Sequence, residues 1–410
     1  MRGHVRRRGA RWQTVIEIGE QPAQVCPPCK KVYWLDGKWR ERCPLCGGEL
    51  EDVRRRRQST RSGFRTKKEA QAALTKELSA RQEGIYQEPS DITVAEFLVR
   101  RWLPDVKDSL KPSTYLSYSF HVMGYLVPRL GALRLRVLDP GHVNKMYREL
   151  GQARGGRRGK SLAPATRRHI HTTLRRALRD AVKWGLVSRN AAALADPPRV
   201  DRHNRTMNVW TREQIRTFLN HVADDRLFAM WRVFATTGMR RGEVCGLQWK
   251  HIDFERSLLT VRQARVNVGY KVQLGTTKTG ASRVIPVGVN TVAALKAWRD
   301  RQADEFLELE IAQSPDHYLF TDKAGEPLHP DRVTKLFDQA VKAAGLPRIR
   351  LHDLRHSYAT IGLLNGIHPK VMAERLGHAD VMITLQTYSH VLKGMQESAA
   401  ELLEASIDSE

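Results

Sequence analysis

Two polar, proline-bearing stretches interrupt the hydrophobic patterning of this 410-residue chain, so one continuous core cannot account for it. The first, Gly84 to Asp91, carries Pro89; the second, Asp196 to Asn208, carries Pro197, Pro198 and several charges. Both read as linkers, because they offer few apolar groups to bury and proline removes a backbone donor. The sequence therefore predicts a multi-domain chain, mainly α with small β elements, divided into residues 1–85, 92–195 and 209–392 with a tail over 393–410. At ~100–200 residues per domain the length suits that division. A hydrophobic content of 41% supplies enough apolar side chains for real cores.

Lys and Arg outnumber Asp and Glu by 69 to 44, a formal charge of +25. An excess of that size attracts a polyanion, since each neutralised phosphate releases condensed counterions. Nucleic acid is the expected partner, ahead of the plainer reading of a merely basic enzyme. No run of about 18 apolar residues is present, so no membrane span is expected. The opening MRGHVRRRGARW is basic but lacks a following apolar segment and is not read as a signal peptide. A cytoplasmic, nucleoid-associated protein with reduced thiols is the expectation.

The first region is basic and aromatic, with Thr14 to Ile18 alternating like a strand. Thr66 and Glu69 predict a capping box that opens a helix through TKKEAQAALTKELSARQ. Cys26-Pro-Pro-Cys29 and Cys43-Pro-Leu-Cys46 form two CxxC knuckles. Four thiolates at this spacing suit tetrahedral Zn²⁺ in a closed structural site that staples a small ribbon and does no chemistry. Such a ribbon could contact DNA or protein. Cys245 stands apart in an apolar stretch and reads as core packing.

The second region reads as all helical. Val94, Phe97, Leu98 and Trp102 recur at helical spacing, and Lys111 to Thr114 opens a further helix. Gly151 to Ser161 is a Gly- and Arg-rich loop. Ala165 to Trp184 is a basic amphipathic helix with Ile170, Leu174, Ala177, Leu178 and Ala181 on one face. Its arginine face suits DNA contact, though such faces are often only solvated. The third region opens at Trp210, with Thr211 and Gln214 as another capping box. It runs through helices, strands between Leu258 and Val287, and helices again.

Four sites in that third region carry chemistry. In TGMRRGE, Gly238 breaks a helix and Arg240 opens the next near its positive end, a good place for an anion, with Glu243 able to orient the guanidinium. Lys278, in TKTG ahead of SRVIPV, reads as an exposed lysine at a hairpin tip. In LHDLRH, His352 and Arg355 share a helical face. In LGH, Gly377 ends a helix and leaves His378 in the turn, ten residues before Tyr388 in TYSHV. Each alone has an ordinary explanation: an ion pair at a helix boundary, a soluble hairpin, a surface or core histidine, an amphipathic tyrosine.

In this order across some 150 residues, Arg, Lys, His-x-x-Arg, His and Tyr resemble the tyrosine recombinase, or phage-integrase, family, carried by TGMRRGE, TKT…RVIPV, LHDLRHSYAT, LGHAD and TYSHV. The resemblance is clear over the third region, as an α+β catalytic domain, and looser over 92–195, as the family's helical core-binding domain. Residues 1–85 look like the arm-type DNA-binding module of phage and mobile-element integrases, with a zinc ribbon inserted; the simplest form of that module lacks the CxxC pairs. The resemblance implies that Arg240 and Arg355 stabilise the charge on a pentacoordinate phosphorus, and that Tyr388 attacks to form a 3′-phosphotyrosyl link. It implies that His352 assists Tyr388, Lys278 protonates the leaving 5′-oxygen, His378 donates to the phosphate and Glu243 stands behind Arg240. A covalent intermediate conserves the bond energy, so neither ATP nor a catalytic metal is expected. Partners implied are double-stranded DNA at core and arm sites, a homotetramer, a host DNA-bending protein and an excision factor. Met395, Ala399, Leu402 and Leu403 recur at helical spacing; such a tail could pack back on its own domain, while the resemblance implies docking on a neighbouring protomer. A type IB topoisomerase and a zinc-ribbon DNA-binding regulator are the alternatives.

Overall fold

Strand alternation and long cross-strand pairing build the N-terminal region: β1 (Gly3–Arg8), β2 (Arg11–Val25), β3 (Val32–Trp34) and β4 (Glu51–Phe64), followed by helix α1 (Lys67–Gln82). Short helices α2 (Val94–Glu96), α3 (Leu103–Val106), α4 (Pro112–His121) and α5 (Val127–Leu130) lead to longer α6 (Pro140–Gly151) and α7 (Pro164–Lys183). The C-terminal region runs α8 (Arg212–His221), α9 (Phe228–Thr237), α10 (Arg241–Cys245), β5 (Ile252–Asp253), β6 (Leu258–Val261), β7 (Gln263–Val268), β8 (Lys271–Thr276) and β9 (Arg283–Pro286). It closes with α11 (Val289–Glu308), α12 (Pro330–Ala343), α13 (Leu351–Leu364), α14 (Pro369–Leu376) and α15 (Val381–Thr387). This computed structural model describes residues 3–34, 40–82, 91–152, 161–200, 208–269, 271–276 and 282–388, with 404, 407 and 408. The chain is mainly helical with small antiparallel sheets. Its two compact units are Met1–Trp102 with Leu126–Ser161 and Ile170–Pro197, and Leu103–Tyr125 with Leu162–His169 and Pro198–Glu410.

In the first unit β2 is the spine. It pairs with β4 from Trp12↔Phe64 to Val25↔Glu51, while β1 and β3 share its other edge. Val15, Ile16 and Ala23 are buried along β2, and Ala70 and Leu74 of α1 are buried with them. A Cβ at Gly3 would lie 2.8 Å from Leu74 Cδ1, so a bare backbone there lets α1 lie close on the sheet. Thr66 and Glu69 form the capping box that the sequence predicts. The helical part of this unit buries Phe97, Leu98, Val143, Met146, Leu150, Ile170, Leu174 and Leu178. The Trp102 indole donates to Asp180 at 2.8 Å, which gives its one polar atom a partner inside the core.

In the second unit the core is aromatic. Trp210, Phe218, Trp231 and Phe337 are all nearly inaccessible, with ring centroids 5.3 to 6.2 Å apart. Trp210 lies just before α8: its amide donates to Ser357 Oγ and its indole to the Pro347 carbonyl, both at 2.8 Å. The first of these bonds ties Trp210 to α13, the helix that carries His352 and Arg355, and the second ties it to the segment just before that helix. Thr211 and Gln214 cap α8 as expected. β5, β6 and β9 form one small sheet and β7 with β8 a hairpin. Among the described residues, no helix is long and apolar enough to cross a membrane.

Phe337 touches three of these aromatic rings, so Phe337→Ala should destabilise the chain by about 3–5 kcal/mol. Exposed Leu307→Ala should change stability by less than about 0.5 kcal/mol. Denaturant titration of the full chain measures both; equal losses would contradict the placement of the core.

Candidate active site

Two helix ends meet here, and glycine makes both possible. Helix α9 stops at Gly238, which takes a left-handed conformation at φ 63°. A Cβ there would stand 2.5 Å from the Tyr358 ring. Helix α14 stops at Gly377, also left-handed at φ 65°, where a Cβ would meet the Arg283 guanidinium at 2.8 Å. Only glycine satisfies both the backbone angle and the space. Each glycine then presents its carbonyl to an arginine from the other segment. Arg355 Nη1 donates to Gly238 O at 2.7 Å, and Arg240 Nη2 donates to Gly377 O at 3.1 Å. Arg355 Nη2 donates as well to Leu376 O at 2.7 Å.

Behind Arg240 lies a buried carboxylate. Arg240 caps α10 in an extended conformation, and its amide donates to Glu243 Oε2 at 2.9 Å while Nη1 donates to Oε1 at 2.8 Å. Arg283 completes the arrangement, donating to both Glu243 oxygens at 3.1 and 2.6 Å. Arg283 Nε also donates to Arg375 O on α14. Burial works against the Glu243 charge, but Arg283 and Arg240 override it and hold the carboxyl down at about 2.

Tyr388 caps α15 and is wholly buried against Ala359, Leu363, Met372 and Leu376. Burial, opposed by Arg355, pushes its phenol up to about 12. Its hydroxyl lies 2.9 Å from His356 Nδ1. His352, one helical turn before, stands edge-on to His356 with ring centroids 5.1 Å apart. His352 has an open edge, yet the packed part of its ring, then His356, Arg355 and Arg240, push it down to about 4. His378 is also pushed down to about 4, by burial and then by Arg355 and Arg240, and its Nδ1 lies 2.7 Å from Thr384 Oγ1. Both histidines are therefore neutral at neutral pH. Arg355 is lowered to about 9 by burial and by Arg240, and still carries its charge there.

Of the residues singled out from the sequence, Arg240, Glu243, His352, Arg355, His378 and Tyr388 gather in this one locality of the second unit. Lys278 lies outside the described residues, as do the tail residues Met395, Ala399, Leu402 and Leu403. Two contributors escaped the sequence reading. His356 is adjacent to Arg355 and one turn from His352, a spacing that puts both imidazoles on one face. Arg283 lies two residues before buried Ile285 on β9 and so shares its inward face, which is the available signal.

The cysteines form a separate cluster in the first unit. Cys26 O accepts from Lys30 N–H and Cys43 O from Gly47 N–H; Cys26 N–H donates to Lys31 O and Cys43 N–H to Gly48 O. The two knuckles thus fold alike, each turning through a left-handed residue, Lys30 and Gly47. The turns bring Sγ of Cys26 to 3.3 Å from Cys46, and Cys29 to 3.6 Å from Cys43, with all four sulfurs within 4.8 Å. Tyr33 Oη lies 3.2 Å from Cys43 Sγ.

Residues 208–395 match the phage integrase family. Over 359 residues the chain is 28% identical to a XerC-like tyrosine recombinase of Caldanaerobacter subterraneus, covering 83% of this chain and 90% of that protein. It is 29% identical over 239 residues to the ICEBs1 integrase of Bacillus subtilis, covering 58% of this chain and 64% of that one. Among solved structures, a Tn1549 transposon integrase in complex with transposon right-end DNA superposes with a TM-score of 0.62 at 20% identity, over 75% of this chain and all of the other. At that identity the likeness is one of fold.

The Glu243 cluster has a pH signature. A carboxyl held at about 2 when folded contributes stability that is present above its ordinary 4.5 and is lost as pH falls towards 2. Glu243→Gln should therefore be markedly less stable than wild type at pH 7, and the gap should narrow as pH drops from 5 to 3. Thermal unfolding at several pH values measures it. A gap independent of pH would show that Glu243 is not held as a carboxylate between the two arginines.

Proposed function

Because this chain belongs, through residues 208–395, to the phage integrase family, we propose that Tyr388 attacks a DNA phosphodiester held by Arg240 and Arg355. The chain is a site-specific tyrosine recombinase that breaks and rejoins DNA. The observation that carries the residue assignment is the reciprocal bonding of Arg240 and Arg355 to Gly377 and Gly238, beside buried Tyr388. Unaided phosphodiester cleavage is slow enough that the site must lower the barrier by on the order of 20 kcal/mol. A guanidinium offers five donors, and the carbonyl bonds use two of those on Arg355. The others are free to bind non-bridging oxygens, and the carbonyls fix both forks in advance, so little reorganisation accompanies reaction. His378, neutral and oriented by Thr384, would donate its remaining ring N–H to the phosphate. His352, neutral beside both arginines, would assist the phenol or the phosphate. Lys278 would protonate the 5′-oxygen as it leaves. The 3′-phosphotyrosyl link keeps the bond energy, and a free 5′-hydroxyl reverses the step.

The division into an arm-binding module (1–85), a helical core-binding domain (92–195), a catalytic domain (209–392) and a docking tail (393–410) belongs to the same reading. Exposed arginines along β4 and β1 suit the backbone of arm-site DNA. Exposed Leu364, Ile367, Val371, Met382 and Ile383 on α13 to α15 would offer a neighbour's tail an apolar seat within a homotetramer on two DNA sites. A host DNA-bending protein and an excision factor would set direction. The relatives' names favour this over a topoisomerase or a regulator.

A structural Zn²⁺ fits the cysteine quartet. Tetrahedral thiolates at ~2.3 Å from the metal stand roughly 3.8 Å apart, close to the 3.3 and 3.6 Å found here. Tyr33 would donate to the Cys43 thiolate and steady it. The ion would tie the far end of β2 to β3 and the start of β4, and do no chemistry.

Tyr388→Phe should retain DNA binding and lose covalent capture of a nicked suicide duplex by at least ~10⁴-fold, read on denaturing gels. A persisting adduct in that variant would refute the assignment. Purified protein should carry one zinc per chain, and Cys26→Ser with Cys43→Ser should carry none. Zinc-free wild type of unchanged thermal stability would count against the metal.

A further inference from the structure

We propose that His356, rather than His352, takes the Tyr388 proton at cleavage and returns it at rejoining. This deepens the reading of Tyr388 as nucleophile and rests on it. Among the described residues, His356 is the histidine whose ring nitrogen lies at bonding distance from the reacting oxygen, 2.9 Å from Nδ1 to Oη. His352 stands behind it, edge-on to the His356 ring at 5.1 Å between centroids. Both histidines sit on one face of α13, a turn apart, and Tyr388 arrives from the end of α15 so that its ring meets the nearer of the two, 5.8 Å between centroids.

The surroundings of Tyr388 make such a partner necessary. Its ring is sealed by Ala359, Leu363, Met372 and Leu376, so bulk water cannot serve as the proton acceptor in this arrangement. The phenol is also harder to ionise than usual, because burial disfavours the phenolate. The acceptor must come from the protein and must be neutral. The groups facing His356 are Asp353, Arg355 and Arg350 from its own helical end, His352 above it, His378 across the site and Tyr388 from α15. Burial and the two arginines, against Asp353, lower its pKa, so the ring is an uncharged base at neutral pH. Accepting at Nδ1 requires the tautomer with its proton on Nε2.

The step balances without a further reactant. The Oη–H bond breaks and its proton passes to His356 Nδ1. The Oη–P bond forms as the P–O5′ bond breaks, and the 5′-oxygen takes a proton from the general acid, read as Lys278. In rejoining, the 5′-hydroxyl attacks and gives its proton back to the neutral general acid, the P–Oη bond breaks and Nδ1 returns the proton to Oη. The imidazolium formed at cleavage adds positive charge beside a phosphorus that is gaining negative charge. His352 is thereby left free to act on the phosphate.

The test compares full-length wild type, His356→Asn and His352→Gln, each with ordinary tyrosine or a more acidic fluorinated tyrosine at 388. Asparagine places an amide near the Nδ1 position; it keeps a hydrogen bond to Oη but cannot take its proton. Single-turnover adduct formation on a nicked suicide duplex is followed against pH. The expected result for His356→Asn is a loss on the order of 100-fold or more at neutral pH. Its rate should climb steeply with pH where wild type is level, and the acidic phenol should restore much of it. In His352→Gln the acidic phenol should restore little. Should His356→Asn fail to bind DNA or melt far below wild type, His356→Gln takes its place. A wild-type rate and pH profile in the folded His356 variant, or restoration confined to His352→Gln, overturns the proposal while leaving the nucleophile in place. No adduct from wild type removes the nucleophile reading and this proposal together.

Discussion

A carboxylate removed from water is tolerable only when cations and donors replace its hydration, and the catalytic region is organised around one such group. Glu243 is 1% exposed and lies between Arg240 and Arg283. Burying it alone would be strongly unfavourable, and removing either cation would leave a charge with too few partners. The pairing therefore fixes more than two side chains. It clamps the start of α10 to β9, and through the Arg283 bond to Arg375 O it reaches the end of α14, where Gly377 and His378 lie.

Arg240 and Arg355 inherit their positions from this clamp and from the glycine carbonyls. A long side chain loses rotamer freedom when it is held, and here that loss is met on folding rather than on binding. Arg355 is held by Gly238 and Leu376, Arg240 by Glu243 and Gly377. The helix ends thus do two jobs. They stop at glycine because the turn requires it, and they aim their last carbonyls at the opposite guanidinium.

Much of this is legible in the sequence. Capping residues Thr66 and Thr211, the helix breaks at Gly238 and Gly377, and the paired cysteine knuckles are local features, written in a few consecutive residues. The gathering of Arg240, Arg355, His378 and Tyr388 depended instead on motif order and family resemblance, because no spacing rule links residues more than a hundred positions apart. His356 was passed over for the same reason. Sequence puts His352 and His356 on one face of a helix, but which of them meets a phenol is decided by where α15 ends. Arg283 belongs to a strand, and its partner Glu243 lies on a helix forty residues earlier.

One consequence of the neutral histidines concerns electrostatic balance. With His352 and His378 uncharged at neutral pH, the fixed charges that these bonds bring together among the described residues are three guanidiniums and one carboxylate. Their excess is two positive charges, to which the proposed general acid Lys278 would add a third, whereas a dianionic pentacoordinate phosphorus carries two negative charges and a ground-state diester one. Under the proposed chemistry, a pocket of net positive charge would attract the reacting phosphate more strongly at mid-reaction than at rest.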